Sequence, residues 1–411
     1  MKYAILLADG MSDRPLKELD GKTPLEVART PNMDNLVKAG AIGIADIIPK
    51  GMSSGSDVAN LSILGYEPEK YYTGRGPLEA ANIGVSLGKS DVAFRCNLIS
   101  SDDDKLADYS AGHITEKEAG ILIKCVNDKV GSDAVRFYHG KSYRNLMVIT
   151  ARNQEQKKDL TCLACKPPHD IMGKKISQNL PRGKGAAAIV KLMKESRSLL
   201  EEHEINKVRL DLKENPANMI WLWGQGLDPK LPTYKELFGL SGAVISAVDL
   251  IKGIGKLIGL DVVEVPGATG YYDTNYKGKG EYAVKCLDAK DFVFVHVEAP
   301  DEAGHNGDVR AKIEAIENFD KFIVGAVWKK RKDKKDVRIM VLPDHATPIS
   351  VRTHTDDPVP FAICGPGIRA GGLKNFSEKS AKASKLRFSS GAELTRFFIT
   401  PKAAPAGKKQ R

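Results

Sequence analysis

A chain of 411 residues is long for one compact domain and, at about 150 residues per domain, predicts two or three. With 42% hydrophobic residues it can bury a core, and it lacks a run of about 18 apolar residues that would predict a transmembrane helix. A net charge of +10 favours anionic partners, with nucleic acid one reading and a small phosphorylated substrate another, but much of the excess sits in blocks at 329–335, 374–387 and 408–411, which read as solvated surface or disordered ends, so neither specific nucleic-acid binding nor a membrane is expected.

The start, MKYAILLADGMSD, is apolar for too short a stretch to be a secretion signal and is interrupted by Asp9, which points to the cytoplasm. Residues 3–7 predict a buried strand. Residues 31–39 predict a helix, with Thr30 as N-cap and Pro31 at the first helical position. Residues 57–64 predict a short helix with Ser56 at its N-cap, where orphan amides favour an anion such as phosphate. The preceding Gly51-Met52-Ser53-Ser54-Gly55 matches the G-x-S-x-G elbow of serine hydrolases. That elbow needs an apolar strand running into the turn, and Pro49-Lys50 stands there instead.

The middle of the chain, 77–237, mixes strands at 145–150 and 219–223 with a charged helix at 185–202, and predicts an inserted α/β domain. Cys162 and Cys165 form a lone C-x-x-C without the second pair of a zinc ribbon, and the six cysteines read as ordinary thiols. Segments 1–76 and 238–402 then form the core, and 403–411 reads as a disordered basic tail. Further strands are predicted at 292–297, 338–342 and 361–364, with a helix at 312–328. Strands alternating with helices indicate the α/β class, with a mostly parallel central sheet flanked by helices.

Ligands of open α/β sheets bind beyond the carboxyl ends of strands. The strand at 3–7 is followed by Asp9, that at 292–297 by Asp301 and His305, and that at 338–342 by Asp344, His345 and His354. Asp301 and His305, four apart, would share a helical face and chelate one ion. Adjacent Asp344 and His345 would diverge on regular structure, and either serve two ions or sit on a bent loop serving one. These six side chains suffice for two divalent ions, which would clamp the oxygens of an in-line phosphoryl transfer to Ser56. His113, His139, His169 and His296 fall outside the clusters.

The stretches ADGMSDRP, TPNMDNL, GMSSGSDVANLSILGY, YYTGRGPLEAAN, FRCNLIS, KPPHDI, AVDLIKGIG, HVEAPDEAGHNGD, LPDHATP and THTDDPVPF run from residue 8 to about 361. Together they resemble the alkaline-phosphatase superfamily, and more closely its archaeal-type, cofactor-independent phosphoglycerate mutases. The resemblance implies an alkaline-phosphatase-like core with an inserted substrate-binding cap. It implies that Ser56 becomes phosphorylated, that Asp9, Ser56, Asp344 and His345 hold one metal, and that Asp301, His305 and His354 hold the other. The ions would be Mn²⁺, Zn²⁺, Co²⁺ or Mg²⁺, and no 2,3-bisphosphoglycerate is needed. The expected reaction interconverts 3- and 2-phosphoglycerate, with a phosphatase or another phosphomutase as the alternative. Substrate anions suit Arg75, Arg95, Arg144 and Lys252, with Asp108 and His169 as further contacts. The stretch 108–113 is less basic than the family pattern, which puts contacts at Tyr109 and His113 in question. Oligomeric state is not legible.

Overall fold

The computed structural model describes residues 1–333 and 336–400. The tail expected at 403–411 lies outside the described residues, as does part of the basic block at 329–335. In chain order the strands are β1 (Lys2–Ala8), β2 (Ala41–Ala45), β3 (Asp91–Asp102), β4 (Lys105–Asp108), β5 (Val135–Lys141), β6 (Arg144–Thr150), β7 (Met219–Gly226), β8 (Gly242–Ile245), β9 (Asp261–Val262), β10 (Phe292–Val297), β11 (Val337–Leu342), β12 (Val359–Cys364) and β13 (Arg387–Phe388). Contacts divide the chain into two compact units: Met1–Tyr72 with the chain from Leu231 onward, and Thr73–Lys230. The limits expected from sequence, 77 and 237, fall inside flanking helices (Arg75–Asn82 and Tyr234–Phe238) that composition does not separate from their surroundings.

The first unit is built on an eight-stranded sheet ordered β13-β2-β12-β11-β1-β10-β8-β9. Only β12 runs against its neighbours. Ala4 to Ala8 of β1 are all fully buried, because a parallel strand covered on both faces needs an unbroken apolar run. On one face Leu6 packs in a cluster with Met33, Ala283 and Phe319 from three helical segments. The helices Ser56–Ile63, Asp249–Leu257 and Gly391–Ile399 lie outside that cluster, and the first of them touches each of the other two. β1 sits between β10 and β11, with Ala8 level with Val297 and Leu7 level with Leu342. Three neighbouring parallel strands therefore end together at one edge.

The helix Pro31–Ala39 forms with Pro31 in its first turn, but Thr30 makes no side-chain cap bond. Asp320 does that work from a distant segment. Its carboxylate accepts from Asn32 N (3.2 Å) and Met33 N (2.7 Å), and from Asn32 Nδ2 (3.0 Å). Asp320 lies in a wide π turn, Phe319–Val324, that interrupts the helix expected at 312–328 and separates Val309–Asn318 from Gly325–Asp333. Burial lifts the Asp320 carboxyl to about 6, partly opposed by those backbone N–H groups.

The second unit is an antiparallel five-stranded sheet, β4-β3-β6-β5 with β7 along β3. One face is covered by the helices Glu116–Val130 and Ala186–Leu200, whose Leu122, Ile189 and Met193 pack on Phe94 and Trp221. On the other face Ala80 of the helix Arg75–Asn82 meets Ala93, Leu146 and Val148. All six cysteines are free thiols. Among the described residues no helix is long and apolar enough to cross a membrane.

Asp320→Ala should lower stability by roughly 1–3 kcal/mol in urea unfolding, because it strands two helix-start N–H groups in a buried place. Thr30→Val, which deletes only a hydroxyl, should cost clearly less. Equal losses would show that Asp320 is not the dominant cap.

Candidate metal and nucleophile site

Each of the three central strands delivers candidate ligands as it ends. Asp9 follows β1, fully buried, and its backbone N–H bonds to Val297 O at 2.8 Å. The helix Ala299–Asn306 starts directly after β10 and places Asp301 and His305 one turn apart, with Asp301 Oδ2 3.2 Å from His305 Nε2. Asp344 and His345 follow β11 on a bend rather than regular structure, so their side chains do not diverge: His345 Nε2 lies 3.6 Å from Asp344 Oδ2 and 3.3 Å from Asp9 Oδ1. His354 closes the group, with Nε2 3.4 Å from Asp301 Oδ1. Gly10, at φ +60°, makes this approach possible, since a Cβ there would fall 2.6 Å from Asp301 Oδ1.

Ser56 joins the cluster, with Oγ 3.2 Å from His345 Nε2. It is the first residue of the helix Ser56–Ile63 and Gly55 is the cap, so the N-cap expected at Ser56 lies one residue earlier. Strand β2 ends at Ala45, well before Ser53, so no strand leads directly into a turn there and the hydrolase elbow is not formed.

The ring nitrogens argue for cations. His305 Nδ1 lies 3.0 Å from Arg352 O, and His354 Nδ1 lies 2.9 Å from Ser54 O. Carbonyls only accept, so both Nδ1 atoms carry hydrogen, and whenever the rings are neutral both Nε2 atoms turn lone pairs inward. Those two Nε2 atoms are only 2.9 Å apart, beside Asp301. Lone pairs held that close need a shared proton or a metal ion between them. Protons answer in part: burial opposes charge on His305, but Asp301 outweighs it and lifts the imidazole to about 9. Burial likewise works against the Asp301 carboxylate, and the rings of His305 and His354 overcome it, holding Asp301 well below the usual range. Asp9 has no such help. Burial first, then Asp344 and Glu298, push its carboxyl well above the usual range, and its Oδ1 is buried without a hydrogen-bond partner. Three groups bring ligand atoms within 4.8 Å of one another: Asp301, His305 and His354; Asp9, Asp301 and His345; and Asp9, His296 and Asp344. A set of carboxylate oxygens and imidazole nitrogens fits divalent ions of the zinc or manganese kind.

Sequence reasoning missed several members. His296, set aside as outside the clusters, is fully buried with Nε2 3.0 Å from Asp9 Oδ2. Burial drives its imidazole down to about 3, so it stays neutral. Asn60 Nδ2 donates to Asp344 Oδ2 (2.9 Å) and to Ser56 O (2.8 Å), joining the serine's helix to the strand-end carboxylate. The strand-end pattern finds neither, because one lies inside a strand and the other inside a helix.

The remaining candidates lie elsewhere. Lys252, on the helix Asp249–Leu257, pairs with both Glu264 oxygens at 2.8 Å. The others belong to the second unit and gather around aromatic rings. Arg95 is buried, its guanidinium 4.2 Å from the Trp223 ring centroid, with Nε 2.8 Å from Glu79. Arg75 reaches the same Glu79 at 3.3 Å and the same ring at 6.0 Å. Two guanidiniums thus share one carboxylate and keep a net positive charge. The His169 ring stands edge-on to Trp223 and Tyr109. Tyr109 meets Tyr143, over which Arg144 lies at 5.2 Å. Asp108 uses both oxygens on its own loop, accepting from Ser110 N and Gly112 N at 2.7 Å each, and also accepts from Asn215 Nδ2 at 3.0 Å. These bonds hold a stretch in which Ala111, Gly112 and His113 all have positive φ.

Comparison with known proteins identifies relatives of the chain. A family model for 2,3-bisphosphoglycerate-independent phosphoglycerate mutase matches residues 37–206. A protein of that name, mutase 2 of Methanothermobacter thermautotrophicus, is 50% identical over 404 residues, covering 98% of each chain. One from Methanosarcina acetivorans is 51% identical over 397 residues, covering 96% of this chain and 98% of its own. Among solved structures, a protein of Pyrococcus horikoshii superposes with a TM-score of 0.81 at 33% identity, covering 97% of this chain and 96% of its own. The cofactor-independent phosphoglycerate mutase of Thermoplasma acidophilum gives 0.65 at 27%, covering 97% and 99%. The chain belongs to the 2,3-bisphosphoglycerate-independent phosphoglycerate mutase family.

Proposed function

We propose that this isomerase interconverts 3-phosphoglycerate and 2-phosphoglycerate through a phosphoserine at Ser56, with two divalent cations at the strand-end cluster. The observation that carries the reading is the convergence of Asp9, Asp344 and His345 on one side and Asp301, His305 and His354 on the other, beside the Ser56 hydroxyl. Asp9, Ser56, Asp344 and His345 are assigned to one ion, and Asp301, His305 and His354 to the second. Bound there, the ions would neutralise the phosphoryl oxygens and favour the ionised serine.

The chain's own groups do the rest. The Ser56 Oγ–P bond forms as the substrate O–P bond breaks, and the glycerate hydroxyl so released takes a proton. The other glycerate hydroxyl then loses its proton and recovers the phosphoryl group, restoring Ser56. Phosphate is conserved throughout, so no bisphosphorylated primer is consumed, in keeping with the family's name. The helix start at Ser56 points backbone N–H groups toward an anion. Asn60 fixes the serine's turn relative to Asp344. We assign the substrate's anionic groups to Arg75, Arg95, Arg144 and Lys252, with His169 as a further contact. Asp108 holds the loop that carries Tyr109 and His113. The segment Thr73–Lys230 is the proposed substrate-binding domain.

Ser56→Ala should abolish transfer while metal content stays largely intact, since the other assigned ligands remain, measured by a coupled enzyme assay and elemental analysis. Retained turnover would remove Ser56 from the mechanism. Incubated with 3-phosphoglycerate, the wild-type enzyme should yield 2-phosphoglycerate with little inorganic phosphate, followed by phosphorus NMR. Dominant phosphate release would make it a phosphatase. Arg95→Met should lower kcat/KM by about tenfold or more, the scale of one lost charge-assisted contact.

A further inference from the structure

Thr347 lies two residues beyond the β11 ligands and belongs to none of the metal-capable groups. It is fully buried. Its placement is closely specified. A Cβ on Gly10 would fall 2.6 Å from its hydroxyl, and one on Gly304 would fall 2.4 Å from its carbonyl. That carbonyl accepts from Lys312 Nζ at 2.8 Å. Lys312 is itself fully buried, and also reaches Ser12 O (3.3 Å) and Asp13 Oδ2 (2.7 Å) on the loop after β1. Three ligand-bearing segments are thus clamped around one hydroxyl.

The hydroxyl has two partners. It donates to Asp301 Oδ1, and its oxygen lies 3.3 Å from His345 Nδ1. An ionised carboxylate can only accept, so the Thr347 hydrogen points to Asp301. The hydroxyl oxygen then has only lone pairs left for His345, whose Nδ1 must be the donor. A neutral imidazole carries one hydrogen. His345 Nε2 is therefore the bare nitrogen, and it is the atom facing Ser56 Oγ and Asp9 Oδ1.

We propose that Thr347 is a positioning residue: it fixes the His345 tautomer so that Nε2 faces the serine, and it ties a ligand of one proposed ion to a ligand of the other. The inference rests on the two-ion reading above. Arg352 and Ser54, which set the rings of His305 and His354, do so through backbone carbonyls, whereas Thr347 touches a ligand from each group with one side-chain hydroxyl. Removing the hydroxyl leaves the His345 ring able to take either tautomer and loosens Asp301 at once, so both sites weaken together.

The test compares the full chain with Thr347→Val, which keeps the shape and deletes the hydroxyl, and with Thr347→Ser, which keeps the hydroxyl. Nitrogen NMR of the metal-free protein reads the His345 tautomer, and titration calorimetry with Mn²⁺ alone reads affinity and stoichiometry. Wild type and Thr347→Ser should carry hydrogen at Nδ1 and bind two ions within a few-fold of each other. Thr347→Val should mix tautomers and lose about 10–100-fold in affinity for both ions, the usual scale for an outer partner of a metal ligand. Hydrogen at Nε2 in the wild-type protein would overturn the proposal even if the valine variant failed to fold. So would unchanged affinity in a folded valine variant. A wild-type protein that binds no pair of ions would sink the two-ion reading instead, while the tautomer measurement still decides the role of Thr347.

Discussion

The structure depends on a concentration of buried negative charge at one edge of a sheet. Parallel pairing of β10, β1 and β11 ends three strands side by side, and each end contributes a carboxylate: Asp301, Asp9 and Asp344. All three are buried. Carboxylates taken out of water and set beside one another repel strongly, and burial alone already disfavours their charged forms. The neighbourhood answers that repulsion unequally. Asp301 has two imidazoles against it, and Asp344 accepts from Gly10 N, His345 N and Asn60 Nδ2. Asp9 is left with one oxygen against His296 and the other without a donor. An arrangement so poorly compensated from within is organised for positive charge brought from outside.

The histidines obey the same logic at the level of single hydrogens. A neutral ring that gives its Nδ1 hydrogen to a fixed acceptor must present Nε2 as a lone pair. Arg352 O and Ser54 O set two rings in this way. Ser54 also lies in the loop that precedes Ser56, so the orientation of His354 and the position of the Ser56 hydroxyl are set by one short segment.

Much of this is legible in the sequence, for an identifiable reason. Fully buried parallel strands are unbroken apolar runs, and the polar residues just beyond each run sit at the sheet edge. Asp9, Asp301 and Asp344 are therefore found from the positions just past residues 3–7, 292–297 and 338–342. The four-residue spacing of Asp301 and His305 reads correctly as one helical face. The features that escape depend on partners remote in sequence. Thr30 has the right residue type for a cap, but Asp320, 288 residues from Asn32 in the chain, takes the N–H groups instead. His296 sits within a strand, level with Leu7, where pattern alone assigns a core position. Asp344 and His345 can be read as diverging or converging, because only the bend after β11 decides it. The π turn at Phe319–Val324 likewise has no local signature, and an unbroken helix is the natural reading of that stretch.

The second unit shows why arginine candidates are harder to read than metal ligands. A buried guanidinium is rarely justified by stability alone, since desolvation offsets most of what its ion pair contributes. Arg95 accepts that penalty while sharing Glu79 with Arg75, so one negative charge faces two positive ones. The Trp223 face stabilises the excess through its ring electrons but cannot neutralise it. A trio that stays positive after folding is suited to a negatively charged partner, and the planar fork of arginine suits carboxylate and phosphate oxygens. The sequence offers Arg75 and Arg95 as two arginines among many. Their shared carboxylate and shared indole separate them from the rest, and both appear only when β3, β7 and the helix Arg75–Asn82 are assembled.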